Sequence, residues 1–152
     1  MKMGSIEMEN GNRIVIEFFD RDAPGTVANF EKLANRGFYD GLAFQRVVRG
    51  FVAQGGCPDG TGRGGTDKIP CETKGNPHKH VRGAVSMAHF GPGTGSCQFF
   101  ICYDEFDYLD GRHTVFAQVV SGMEHVDSLK RGDKMKAVKV WEQSSELEPI
   151  NG

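Results

Sequence analysis

Apolar and polar residues alternate near the start of the chain. Ile6 and Met8 alternate with Glu7 and Glu9, and Ile14, Ile16 and Phe18 with Val15, Glu17 and Phe19. Asn10-Gly11 lies between the two runs. Asn-Gly between alternating runs is a strong hairpin signal, because both residues tolerate the positive φ of the turn. The period then changes. Val27, Phe30 and Ala34, with Leu33 beside them, recur at helical spacing. Pro24, preceded by Asp22, suits the first turn of that helix, and Gly37 suits its C′ stop. A second helical pattern runs over 122–131, with Met123, Val126 and Leu129 as its apolar face. Lys130 and Arg131 fall where the helix dipole favours cations, and Gly132 terminates it.

Most of the remainder reads as short strands bounded by Gly, Asp or Asn: residues 44–48, 51–55, 81–87, 98–102, 115–120 and 137–141. With the hairpin, that makes about eight strands and two helices, a mainly β chain. Eight strands are about the number that close a barrel filled by its own side chains. Residues 144–152 are polar, include Pro149, and are expected to form a frayed tail beyond a domain spanning 1–143.

Composition narrows the function classes. A chain of 152 residues suits one domain, and 21 glycines favour a fold rich in turns and strands. The formal charge of −2 gives no basic field for nucleic acid. Residues 1–13 hold no apolar stretch for a signal peptide, and no segment approaches membrane-spanning length. A soluble cytoplasmic protein is expected. Cys57, Cys71, Cys97 and Cys102 form no C-x-x-C pair, so free thiols are expected rather than a zinc knuckle.

Several motifs have plain readings. Residues 60–65 match G-x-G-x-x-G, but Pro70 follows where a phosphate-binding helix would have to start, so a flexible surface loop is expected. His78 and His80 sit in a polar stretch without a third ligand at metal-binding spacing. A nucleophile built from Cys97 or Cys102 with His89 or His113 is the sharper reading of those residues, but a small buried thiol in a strand is the commoner role. Arg46 stands out. By strand alternation it shares a face with Phe44 and Val48, where a charge is costly unless paired or functional; the plain reading is a surface charge on an edge strand, and spacing alone favours that one. Gln54 follows eight residues later, across the tight Arg49-Gly50 connection.

The stretch 44–56, Phe-Gln-Arg-Val-Val-Arg-Gly-Phe-Val-Ala-Gln-Gly-Gly, resembles the central signature of the cyclophilin-type peptidyl-prolyl isomerases. Ser86-Met87-Ala88-His89, residues 95–101 and residues 109–116 resemble three further blocks of that family, and residues 23–30 another, all in the family's order. The compact loops are similar to those of the bacterial single-domain cytoplasmic members. The resemblance implies a closed eight-stranded antiparallel β-barrel capped by two α-helices. It implies rotation about X-Pro bonds in peptides and unfolded proteins, with no cofactor and no metal, by a monomer without nucleic-acid or membrane partners. By the same resemblance Arg46, Gln54 and Phe51 are catalytic. Val52, Ala88, His89, Phe90, Gln98, Phe100, Leu109 and His113 would bind substrate, with Tyr108 at the rim.

These residue types suit that reaction. Rotation makes and breaks no bond, so an enzyme needs only to bind the twisted amide better than the planar ones. A guanidinium is a permanently charged, rigid donor for the nitrogen lone pair that twisting frees. Some positions depart from the family pattern: Val52 for a longer side chain, Arg49 for proline, Phe90 and Cys97 for smaller or more polar residues, and Tyr108 for tryptophan. The tryptophan helps bind cyclosporin in the family, so reduced affinity for such inhibitors is expected. The alternatives are a proline-segment binding module with incidental catalysis, which would not need Arg46, and a thiol redox protein, which would need an acidic cysteine.

Overall fold

The computed structural model describes residues 1–143; the expected tail, 144–152, lies outside the described residues. The hairpin forms as expected: β1 (Lys2–Met8) pairs antiparallel with β2 (Arg13–Phe18). Gly11 adopts φ +94°, and the Asn10 side chain accepts from Asn12 N–H at 2.9 Å. The first helix, α1, spans Pro24–Asn35. It ends in a Schellman arrangement: Gly37 N–H donates to Ala34 C=O and Phe38 N–H to Leu33 C=O, both at 3.0 Å. Its start is capped from a distance. Glu72 accepts from Gly25 N–H at 3.0 Å and Thr26 N–H at 2.6 Å, placing a carboxylate at the positive end of the helix. Asp22, the local candidate, instead bonds His78 Nε2 at 2.7 Å.

The remaining strands are β3 (Arg46–Val48), β4 (Val52–Gly55), β5 (Ala84–Met87), β6 (Phe99–Cys102), β7 (Val115–Ser121) and β8 (Met135–Glu142). All eight form one antiparallel sheet in the order β3-β4-β6-β5-β7-β2-β1-β8. The sheet curls on itself, but the expectation of a closed barrel is slightly overstated. Its end strands β3 and β8 are not laddered; the isolated bridge Ala43↔Lys134 and nearby backbone bonds span the seam. The second helix, α2 (Met123–Asp127), is shorter than the expected 122–131. It starts from Gly122 at φ +85°, where a Cβ would strike the Arg13 carbonyl. Past Ser128 the chain turns to reach β8, and Asp133 Oδ2 accepts from Lys130 N–H at 2.8 Å within that turn. Among the described residues no helix is long and apolar enough to cross a membrane.

Two apolar clusters organise the interior. The larger fills the barrel under α1, with the Phe30 ring against Phe18, Tyr39, Phe99 and Phe116 at 4.9–5.6 Å between centroids. The smaller joins Val52, Ala84, Phe100, Cys102 and Val115, with Phe51, Phe106 and Leu109 packed on it. This second cluster is the floor of the site.

Candidate active site

A groove of about 1170 Å³ opens over the smaller cluster. Strand β3 brings Arg46 to one wall, directly opposite Gln54 on β4. Arg46 Nη1 stands 3.5 Å from Gln54 Oε1, long for a hydrogen bond, and its guanidinium lies 5.7 Å from the centre of the Phe51 ring. The Gln54 amide is oriented from the other side, where Nε2 donates to Gln98 Oε1 at 3.1 Å. Gln45 Nε2 donates to the same oxygen at 2.8 Å. Among the described residues no carboxylate lies within ion-pair distance of Arg46.

Strand alternation does not hold at Arg46, although the residue lines the groove. Phe44 precedes the strand and is fully buried, whereas Arg46 and Val48 are exposed. The chain bridges to Lys134 at Ala43 and is irregular at 44–45, so Phe44 and Arg46 do not share a face. Arg46 is at no desolvation cost there.

The apolar part of the groove comes from Phe51, Phe100 and Leu109, with Val52 beneath at 2% exposure. The His113 ring meets Phe100 edge-on at 5.4 Å and stacks on His89 at 4.0 Å. Each imidazole is fixed. His113 Nδ1 donates to Met87 C=O at 2.9 Å. His89 Nε2 donates to Arg112 C=O at 2.8 Å while Nδ1 accepts from Gly91 N–H at 3.0 Å, which sets its tautomer. Burial lowers the His113 pKa, partly offset by the Met87 bond. Ala88 and His89 follow β5 at the groove edge, and no described residue bonds the backbone N–H or C=O of His89. Phe90 also lines the groove, with 78% of its surface exposed. Tyr108 is 57% exposed on a 3-10 turn (Asp107–Leu109), against Phe106 and outside the groove lining.

Three features escaped the sequence reading. The glycine-rich loop is a groove wall, not a loose surface loop: Gln98 Nε2 donates to Gly62 C=O and Gly64 C=O, both at 2.9 Å. Just before it, Cys57 and Asp59 form a knot, Sγ to Oδ1 at 3.0 Å, and Gly62 N–H of the loop donates to the same sulfur at 3.2 Å. His80 is not a polar-loop residue but is 1% exposed behind Phe100, joining Asp110 to Ser86. No sequence signal marked these pairs: Gln98 with Gly62 and Gly64, and His80 with Asp110, lie 30 or more residues apart, and Cys57–Asp59 and His80–Ser86 depend on how the chain turns between them.

The imagined thiol–imidazole pair is absent among the described residues. Burial pushes the Cys102 thiol up to about 12 and raises that of Cys97, the opposite of a reactive thiol. The four cysteines are free.

Residues 3–147 match the family described as Cyclophilin type peptidyl-prolyl cis-trans isomerase/CLD. Peptidyl-prolyl cis-trans isomerase B of Bacillus subtilis is 57% identical over 141 residues, covering 92% of this chain and 99% of that protein. A peptidyl-prolyl cis-trans isomerase of Synechococcus elongatus is 52% identical over 143 residues, covering 92% and 97%. The crystal structure of a cyclophilin type peptidyl-prolyl cis-trans isomerase of Cryptosporidium parvum matches with a TM-score of 0.84 at 28% identity, covering 94% of this chain and 99% of that one. A second structure of that protein was determined in the presence of the dipeptide Ala-Pro. Sequence likeness over nearly the whole chain and the curled eight-stranded sheet agree, and the chain belongs to the cyclophilin-type peptidyl-prolyl cis-trans isomerases.

Proposed function

We propose that the groove catalyses cis/trans rotation about X-Pro bonds in peptides and folding proteins, with Arg46 as the donor to the twisting amide. The observation that carries this reading is the pairing of a guanidinium that has no ion-pair partner among the described residues with an adjoining apolar cup. Rotation of an X-Pro bond faces a barrier of about 18–20 kcal/mol because the nitrogen lone pair is delocalised into the carbonyl. In the twisted state that lone pair returns to nitrogen. Arg46 can donate to it there and gains nothing from either planar form, which is differential binding of the transition state.

The other groups hold the substrate. Phe51, Phe100 and Leu109 clasp the proline ring, and His113 closes the cup edge-on. Gln54, locked by Gln98, steadies the guanidinium. The backbone of His89, which no described residue bonds, suits an extended peptide added like a strand. Every step uses a permanent charge, a neutral imidazole or apolar contact, so no proton is transferred. A protease-free isomerisation assay on a proline peptide tests the reading; rotation no faster than in buffer would overturn it.

A further inference from the structure

Arg46 is not the only cation in the groove. Arg63, Lys68 and Arg131 also line it, and no aspartate or glutamate does. The whole chain carries 18 Lys and Arg against 20 Asp and Glu, so the imbalance is local. All four cations are exposed, and none has an ion-pair partner among the described residues.

The neighbouring carboxylates do not cancel this field at close range. Asp59 is the exception: held ionised at about 2 by bonds from Cys57 and Thr61, it sits behind the lining residues Thr61 and Gly64 and offsets part of the field, leaving four cations against one carboxylate around the groove. Asp67 and Asp133 flank Lys68 and Arg131 in sequence but lie outside the lining. Asp104, Glu105 and Asp107 sit on the segment before Leu109 and also lie outside it. The wall that carries Arg63 and Lys68 is supported. Gln98 holds Gly62 and Gly64, and Ser96 Oγ accepts from Thr66 N–H at 3.2 Å. Charges of one sign on a concave wall focus the potential and steer anionic ligands.

We infer that the groove selects proline segments bearing carboxylate side chains beside the proline and disfavours those bearing lysine. This rests on the isomerase reading above. It concerns which substrates enter and dock, not how the bond turns.

The test is a series of short peptides with Glu, Gln or Lys placed immediately before or after the proline, assayed for kcat/KM. At about 20 mM salt the Glu peptide should exceed the Lys peptide by roughly tenfold at one or both positions, and the ratio should shrink toward one at about 0.5 M salt. In an Arg63→Gln, Lys68→Gln double variant the low-salt ratio should fall to within about twofold, with an unchanged melting temperature. Equal low-salt rates for the Glu and Lys peptides would overturn the inference, as would a ratio that survives the double variant. Turnover of the Gln peptide separates the two readings. If it is isomerised without charge preference, only this inference fails; if it is not isomerised, the isomerase reading fails and takes this one with it.

Discussion

Asp110 Oδ1 accepts two hydrogen bonds from His80, from the backbone N–H and from ring Nδ1, each at 2.8 Å. Burial pushes the Asp110 carboxyl up, but the His80 bonds outweigh it and hold it below its ordinary value. Burial lowers the His80 pKa against the pull of Asp110. The pair is therefore a neutral imidazole on a carboxylate with the proton on Nδ1, while Nε2 and the Thr114 carbonyl both face the single proton of Ser86 Oγ, at 2.8 and 3.1 Å. Asp110→Ala would strand two buried donors. It should destabilise the fold by about 1.5–3 kcal/mol, and Asp110→Asn, which keeps an acceptor, by clearly less. Urea unfolding of the three proteins measures this, and equal midpoints for the Ala and Asn variants would contradict it.

Acid should weaken the fold in two stages. His80 and His113 both have lowered pKa values in the folded state, chiefly from burial. As pH falls, the unfolded chain takes up these protons first, near the ordinary histidine value of about 6.5. Stability is thus fully present above that pH and is lost as pH falls through 6.5 toward the lowered folded values. Asp110 adds a loss at lower pH, below the ordinary carboxylate value of about 3.9. Melting temperatures from pH 8 to pH 3 check the profile; a flat curve between pH 7 and 5 would mean that the two imidazoles are not buried as described.

Arg46→Ala should lower kcat/KM by about 10²–10³, the usual loss for one preorganised donor, and leave the melting temperature unchanged. Exposure is the reason for the second half: an exposed guanidinium without an ion-pair partner contributes little to stability. Arg46→Lys should recover little activity, because a flexible point charge does not reproduce the planar fork. Activity of the Ala variant within a few-fold of wild type would remove Arg46 from the mechanism.

Tyr108→Trp should tighten inhibition by cyclosporin by about 1–2 kcal/mol, one hydrogen bond plus added aromatic area. The position is open to a bulky ligand, being 57% exposed with the Phe106 ring beside it at 6.1 Å. Substrate turnover should stay the same, since Tyr108 lies outside the groove lining. Inhibition constants from titrations of both proteins decide it, and equal values would show that the drug does not reach this side chain.

Local chemistry made part of this molecule legible in advance. Asn10-Gly11 marks the first hairpin, and Pro24 and Gly37 bound α1, because turn and cap preferences act over a few residues. The same local rules overextended α2: its apolar face continues to Leu129, but the return to β8 ends the helix at Asp127. They put Arg46 on the face of Phe44 for a related reason, since alternation assumes a regular strand and the backbone is irregular at 44–45, whereas the plain reading of an exposed charge on an edge strand holds. Glu72 at the start of α1 and Asp110 beside His80 could not be read at all. Each acts on a partner dozens of residues away that only the tertiary fold brings near.

The three-residue β3 ends the sheet, with a ladder on one side only. Such an edge opens at lower free energy than the four-residue β6, which is buried throughout and laddered on both sides. Arg46 therefore rides on a compliant support while Phe100 is anchored in a stiff one. Amide exchange in β3 should outpace that in β6. On the mechanism proposed above, drift in the edge strand would retune how the Arg46 donor follows the turning bond without disturbing the seat that holds the ring.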